Sequence, residues 1–182
     1  NGRLAPIKKN ATPTPLQSLD ISTSLEVCYV YLDSDERTKF AEGAFEQLVT
    51  QTQNLSTSLT AARQQRIRLD FNHSLIELIW AVRKDSSVTA NDHFNYSGIT
   101  EPVTGANRDP INTITLKLNN QQRFDTTEGR YFRLVQPYQH HTNVPESFVY
   151  SYSFALHPED VQPSGQCNFS RIDNATLEVD LD

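Results

Sequence analysis

In several separate segments of this chain the apolar residues recur at every second position, the period of a β-strand. Leu177, Val179 and Leu181 alternate with Thr176, Glu178 and Asp180. Ile67, Leu69 and Phe71 alternate with Arg66, Arg68 and Asp70, and Ile114, Leu116 and Leu118 with Thr113, Thr115 and Lys117. In 148–156, Phe148, Tyr150, Tyr152, Phe154 and Leu156 share one face and leave small residues and Val149 on the other. Residues 75–82 put Ile76, Leu78, Trp80 and Val82 on one face with Leu75 and Ile79 behind them, which predicts a strand covered on both sides. The segment 25–32 is apolar on both faces and reads as a further covered strand. Residues 44–53, rich in Thr and preceded by Gly43, read as a strand as well. One short helix is predicted near 34–42, capped by Asp33 or Ser34, with Glu36 at its positive end and Gly43 closing it. Arg130–Gln136 allows one or two helical turns before Pro137. About seven strands with few helices predict an all-β, antiparallel β-sandwich.

Between the last two strong strands lies a non-repetitive corner, 163–177. Pro163-Ser164-Gly165 is turn chemistry. Ser170 and Asp173 stand at the spacing of a capped helical turn. Two long excursions, 84–112 and 119–147, have little periodicity and are expected to form contacts. In the second, Phe124, Tyr131, Phe132 and Tyr138 can anchor the loop. Residues 1–20, with Pro6, Pro13 and Pro15, read as an arm or linker from a preceding domain, and 21–182 as one domain.

Composition narrows the function. The 182 residues suffice for a core, and an apolar share of 37% suits long polar loops on a β framework. The net charge of −6, with no basic run longer than Lys8-Lys9, disfavours direct binding of nucleic acid. No apolar stretch approaches the ~20 residues of a membrane-spanning helix. The absence of Met suggests an internal piece of a longer chain. Cys28 and Cys167 are expected to be small, buried, reduced side chains.

Candidate chemistry is sparse. The glycines are scattered, so no phosphate-binding loop exists, and two lone cysteines do not make a zinc site. His140-His141 could chelate only from a loop, and His157, Glu159 and Asp160 read as a solvated turn. Glu77 interrupts an apolar strand and is expected to pair with an Arg or lie at an edge. No catalytic, cofactor or metal site is assigned, and the chain is read as a non-enzyme. Arg123 and Arg171 are either interface anchors or local ion-pair members. Six Asn-X-Ser/Thr sequons, at Asn10, Asn54, Asn72, Asn95, Asn168 and Asn174, exceed the roughly two that chance gives. Asn54 and Asn95 are the acceptor candidates for sugar.

Several spaced motifs carry a resemblance. They are Tyr29-Val-Tyr-Leu-Asp33 followed by Asp35-Glu36-Arg37-Thr-Lys-Phe-Ala41, Ile67-Arg-Leu-Asp-Phe-Asn-His73 and Trp80. Further along stand Leu116-Lys-Leu-Asn-Asn-Gln-Gln-Arg123-Phe124, Gly129-Arg-Tyr-Phe132 and Val135-Gln-Pro137-Tyr138-Gln139. The last are Tyr150-Ser-Tyr-Ser-Phe154-Ala-Leu156, Gln162-Pro163-Ser164-Gly165 and Cys167-Asn168-Phe169-Ser-Arg171-Ile-Asp173-Asn174-Ala-Thr-Leu177. In this order they resemble the C-terminal part of the major capsid protein of large icosahedral double-stranded DNA viruses, those of algal viruses and, more distantly, iridoviruses. The resemblance implies the second jelly roll of a double jelly-roll protein, a homotrimer with pseudo-hexameric outline, and capsomers that tile the virion shell above minor capsid proteins. It implies neither cofactor nor direct nucleic-acid contact. Against that fold the chain is one strand short, so the isolated piece is expected not to be self-sufficient. The other reading of the residues is a carbohydrate-binding β-sandwich, lectin-like or a viral attachment domain, with Tyr96 and Tyr138 stacking on sugar.

Overall fold

The computed structural model describes residues 24–44, 46–98 and 108–182. The expected arm at 1–20 and part of the connection at 84–112 lie outside the described residues. The chain divides after Thr50 into two compact units.

In the first unit, helix α1 (Ser34–Glu42) forms where the spacing predicts it. The Asp33 carboxylate accepts from the Ser34 N–H at 2.7 Å, Asp35 and Glu36 occupy the first turn, and the Gly43 N–H returns to the Lys39 carbonyl. The strand expected at 25–32 does not form, nor does the one at 44–53 among its described residues. High strand propensity does not suffice: a strand needs a hydrogen-bonded neighbour, and no described residue pairs with either segment. Leu25, Tyr29, Val30 and Tyr31 are exposed, and so is Cys28, against the expectation that it is buried.

The second unit is a β-sandwich. Its elements in order are β1 (Gln64–Arg68), β2 (Ser74–Leu75), β3 (Glu77–Trp80), α2 (Asp85–Thr89), β4 (Ile111–Leu118), β5 (Gln121–Gln122), β6 (Thr127–Glu128), a π-helical segment (Tyr131–Val135), α3 (Gln136–His140), β7 (Tyr150–Ser153), β8 (Cys167–Asn168), a 3-10 turn (Phe169–Arg171) and β9 (Ala175–Leu181). One antiparallel sheet has the order β1-β9-β4-β5, with β6 also on β4. Facing it are the antiparallel pairs β2-β8 and β3-β7. The sequence alternation gives seven strands; the structure has nine shorter ones among the described residues. β9 is an interior strand of its sheet, bonded to β1 on one side and β4 on the other.

The two layers share one core of Leu69, Leu78, Ile111, Ile114, Leu116, Phe132, Tyr150, Phe169, Ala175, Leu177 and Val179. Ile111 and Ile114 are three apart, a spacing that sends side chains to opposite faces of a regular strand. A register shift between Ile111 and Thr113 resets the parity, and both residues turn inward. Thr115, expected outward, is buried, and its hydroxyl bonds that of Thr126 at 2.9 Å. Ile79, expected covered, is 60% exposed, and α3 packs on β7.

The helical turns before Pro137 do not stop there. The π-helical segment runs into α3, and Pro137 stands in the first turn of α3. Pro137 is fully buried.

Candidate functional site

The corner at 163–177 is fixed by a hairpin that the alternation alone does not reveal. Asn119 and Asn120 both have positive φ, 50° and 64°, and join β4 to β5 through a two-residue turn. The Asn119 carboxamide oxygen accepts from the N–H groups of Asp173 (2.9 Å) and Asn174 (3.2 Å), and its own N–H donates to the Asn174 carbonyl at 2.7 Å. Asn174 Nδ2 donates to Asn120 Oδ1. The Asn-Asn pair was the available signal, since Asn tolerates positive φ better than other side chains.

Within the corner, the predicted helical turn exists, but its cap is Asn168, which accepts from the Ser170 N–H. Ser170 instead accepts from the His73 N–H at 2.7 Å and ties the corner to the loop before β2. Ser164 Oγ accepts from the His157 N–H and donates to the His157 carbonyl, closing the loop 157–164. Gly165, at φ 145°, lies so close to the Phe154 carbonyl that a Cβ would stand 2.8 Å from it. Pro163 is exposed, Cys167 half-buried and Phe169 buried.

Phe132 is the hub of the aromatic core. Its ring centroid lies 5.0 Å from Phe124, 5.2 Å from Tyr131, 5.7 Å from Trp80 and 6.4 Å from Tyr152. Trp80 stacks on Tyr150 at 6.2 Å, and Phe154 meets Tyr152 and Phe169 edge-on. The aromatic stripe at 148–156 is therefore core and not a sugar platform. Its other face carries Ser151 and Ser153, both buried, because small residues let α3 approach: the Ser153 N–H donates to Gln136 Oε1 at 3.2 Å. Arg133 grips Asp109 with two bonds of 2.7 and 2.9 Å, and Asp109 also accepts from the Tyr150 hydroxyl. Burial pushes the Tyr150 phenol far up, and the Asp109 charge adds to it. This pair anchors the end of the long connection to the helical segment.

Glu77 pairs with His141, not with an Arg. His141 Nε2 lies 3.1 Å from Glu77 Oε2, without hydrogen-bond alignment, and Nδ1 lies 3.2 Å from Glu159 Oε1. Burial raises the Glu77 carboxyl and His141 opposes that rise. The turn expected to be solvated is thus tied down at Glu159, which also accepts from the Thr142 N–H. His140 Nδ1 reaches the Leu156 carbonyl. No group of three or more His, Cys, Asp and Glu fit to hold a metal is present among the described residues.

Asp35, Glu36 and Arg37 are exposed on α1 in the other unit. Neither Arg123 nor Arg171 forms an ion pair among the described residues. Arg123 lies by Tyr152 and Cys167, where burial raises both groups and its charge opposes the rise. Arg171 is exposed. Tyr138 is 79% exposed, and Phe94, Leu156 and Val161 are exposed apolar residues of the sandwich. Asn54 is exposed and makes no hydrogen bond among the described residues, whereas the Asn95 carboxamide bonds Asp92 and Ser97. Among the described residues no helix is long and apolar enough to cross a membrane.

The family described as large eukaryotic DNA virus major capsid protein matches residues 36–182. The major capsid protein of Pyramimonas orientalis virus is 40% identical over 89% of this chain and 42% of its own length. That of Paramecium bursaria Chlorella virus 1 is 41% identical over 86% of this chain and 41% of its own. A chain of the PBCV-1 virus capsid superposes with a TM-score of 0.63 and 34% identity, covering 84% of this chain and 42% of that one. The chain thus spans less than half the length of these relatives. The ordered motifs, the antiparallel sandwich and these likenesses agree: the chain belongs to the major capsid protein family of large eukaryotic DNA viruses, the proteins of the virion shell.

Proposed function

We propose that residues 21–182 act as the C-terminal jelly roll of a capsid protein that assembles as a homotrimer of pseudo-hexameric outline, with 1–20 as the link from a first jelly roll. The capsomers tile an icosahedral shell, touching neighbouring capsomers at their sides and minor capsid proteins beneath. The role is mechanical, not enzymatic. The observation that carries it is the family match over 36–182, together with a sandwich whose core is closed while Phe94, Tyr138, Leu156 and Val161 remain outside. Contacts between permanently associated subunits bury on the order of 2,000 Å² or more, much of it apolar, and such side chains supply part of that area. The test is light scattering and negative-stain microscopy of the full-length protein. Three chains per particle with a hexagonal outline are expected; a monomer at assembly concentrations overturns the reading.

A further inference from the structure

None of Glu77, His141 and Glu159 belongs to the hydrophobic core. Together they join three pieces of chain: β3 through Glu77, the residue after α3 through His141, and the loop 157–164 through Glu159. The His141 side chain is only 14% exposed and stands between the two carboxylates, that of Glu159 being the more exposed. We propose that Glu77, His141 and Glu159 form a protonation-controlled clasp that holds the loop 157–164 and the end of α3 against β3.

An imidazolium has a proton on each ring nitrogen and can donate toward both carboxylates. A neutral imidazole has one. Its other nitrogen then turns a lone pair toward a carboxylate, and one arm of the clasp becomes repulsive. The charged groups facing the ring are Glu77 from β3 and Glu159 from the loop. The neighbouring His140 points Nδ1 to the Leu156 carbonyl, and β7 presents only Ser153 opposite Glu77. These elements carry no Lys or Arg to replace the lost charge, and the loop's further titratable groups are His157 and Asp160. The clasp is therefore closed while the imidazole carries both protons and loosens when it gives one up. On further acidification it loosens again once a carboxylate protonates, and burial makes Glu77 the first to do so, since its carboxyl is raised while that of Glu159 is lowered. Loosening frees the loop that carries Val161 and the adjoining Leu156, both exposed apolar residues, so the clasp sets the shape of that surface patch by pH.

The test is hydrogen exchange of the full-length protein at pH 5.5 and 8, corrected for intrinsic exchange, reading peptides over 157–164 with 175–181 as the internal reference. Protection of 157–164 should fall about tenfold toward pH 8, the size of one lost charge-assisted bond, while 175–181 stays unchanged. In His141→Gln the two pH values should give equal protection of 157–164. In Glu159→Gln, a substitution at an exposed carboxylate outside the core, the pH dependence should shrink. Equal protection of 157–164 at both pH values in the unsubstituted protein overturns the proposal. So does an unaltered pH response in both variants.

Discussion

Two stretches with nearly the same strand-forming composition meet opposite fates. Ala175–Leu181 alternates apolar and polar residues and is an interior strand of a sheet, with Leu177 and Val179 buried. Residues 25–32 are richer still in Val, Tyr and Leu, yet they pair with no described residue, and Tyr31 is 90% exposed. The difference is the partner. β9 finds a seven-residue register along β4 and a five-residue one along β1, so its backbone groups are bonded on both sides. Propensity describes a side chain that fits a pleated surface; it does not supply the second strand.

Substitutions sharpen that contrast. The largest loss should come from Phe132→Ala, which empties the centre of the aromatic core. A cost of about 3–5 kcal/mol is expected in urea unfolding of the full-length protein, with folding and assembly lost together. Asp109→Asn should follow at about 3 kcal/mol, because it leaves the largely buried Arg133 guanidinium without its counter-charge. A loss below about 1 kcal/mol would mean that water replaces the carboxylate there.

A smaller, pH-dependent effect belongs to β9. Lys117 and Arg66 hold the Glu178 carboxyl below its ordinary value. Its ion pairs therefore stabilise the fold above the unfolded carboxylate range, near pH 4.3, and that contribution disappears as pH falls through the folded value. Glu178→Gln should cost less than about 1 kcal/mol at neutral pH and flatten the acid limb of the stability profile. The smallest effect should be Tyr31→Ser, within about 0.5 kcal/mol for the unassembled chain. If that substitution instead destabilised the monomer strongly, the segment would already be covered there and the comparison would fail.

Much of the sandwich was legible because the strict alternations at 67–71, 114–118 and 175–181 each mark one buried face. The short helix after Asp33 was legible from its capping residues. What escaped had non-local causes. The inward turn of Ile111 depends on a register shift against β9, and the burial of Thr115 on Thr126 eleven residues away. Ser151 and Ser153 read only as small residues behind the aromatic stripe; in the fold they make room for α3. The corner at 163–177 was recognised as fixed, though the Asn119-Asn120 hairpin that fixes it was not. His141 was read as a loop residue because nothing in its neighbourhood announces Glu77, sixty-four positions earlier, or Glu159. The strand at 25–32 failed for the complementary reason: its signal is local, and its partner is not among the described residues.

The central claim is that this domain works as one of three copies in a capsomer. Native mass spectrometry of the protein from its natural source tests it most directly. The account predicts a homotrimer that persists at the lowest concentrations sampled. A monomer across the whole range would contradict it.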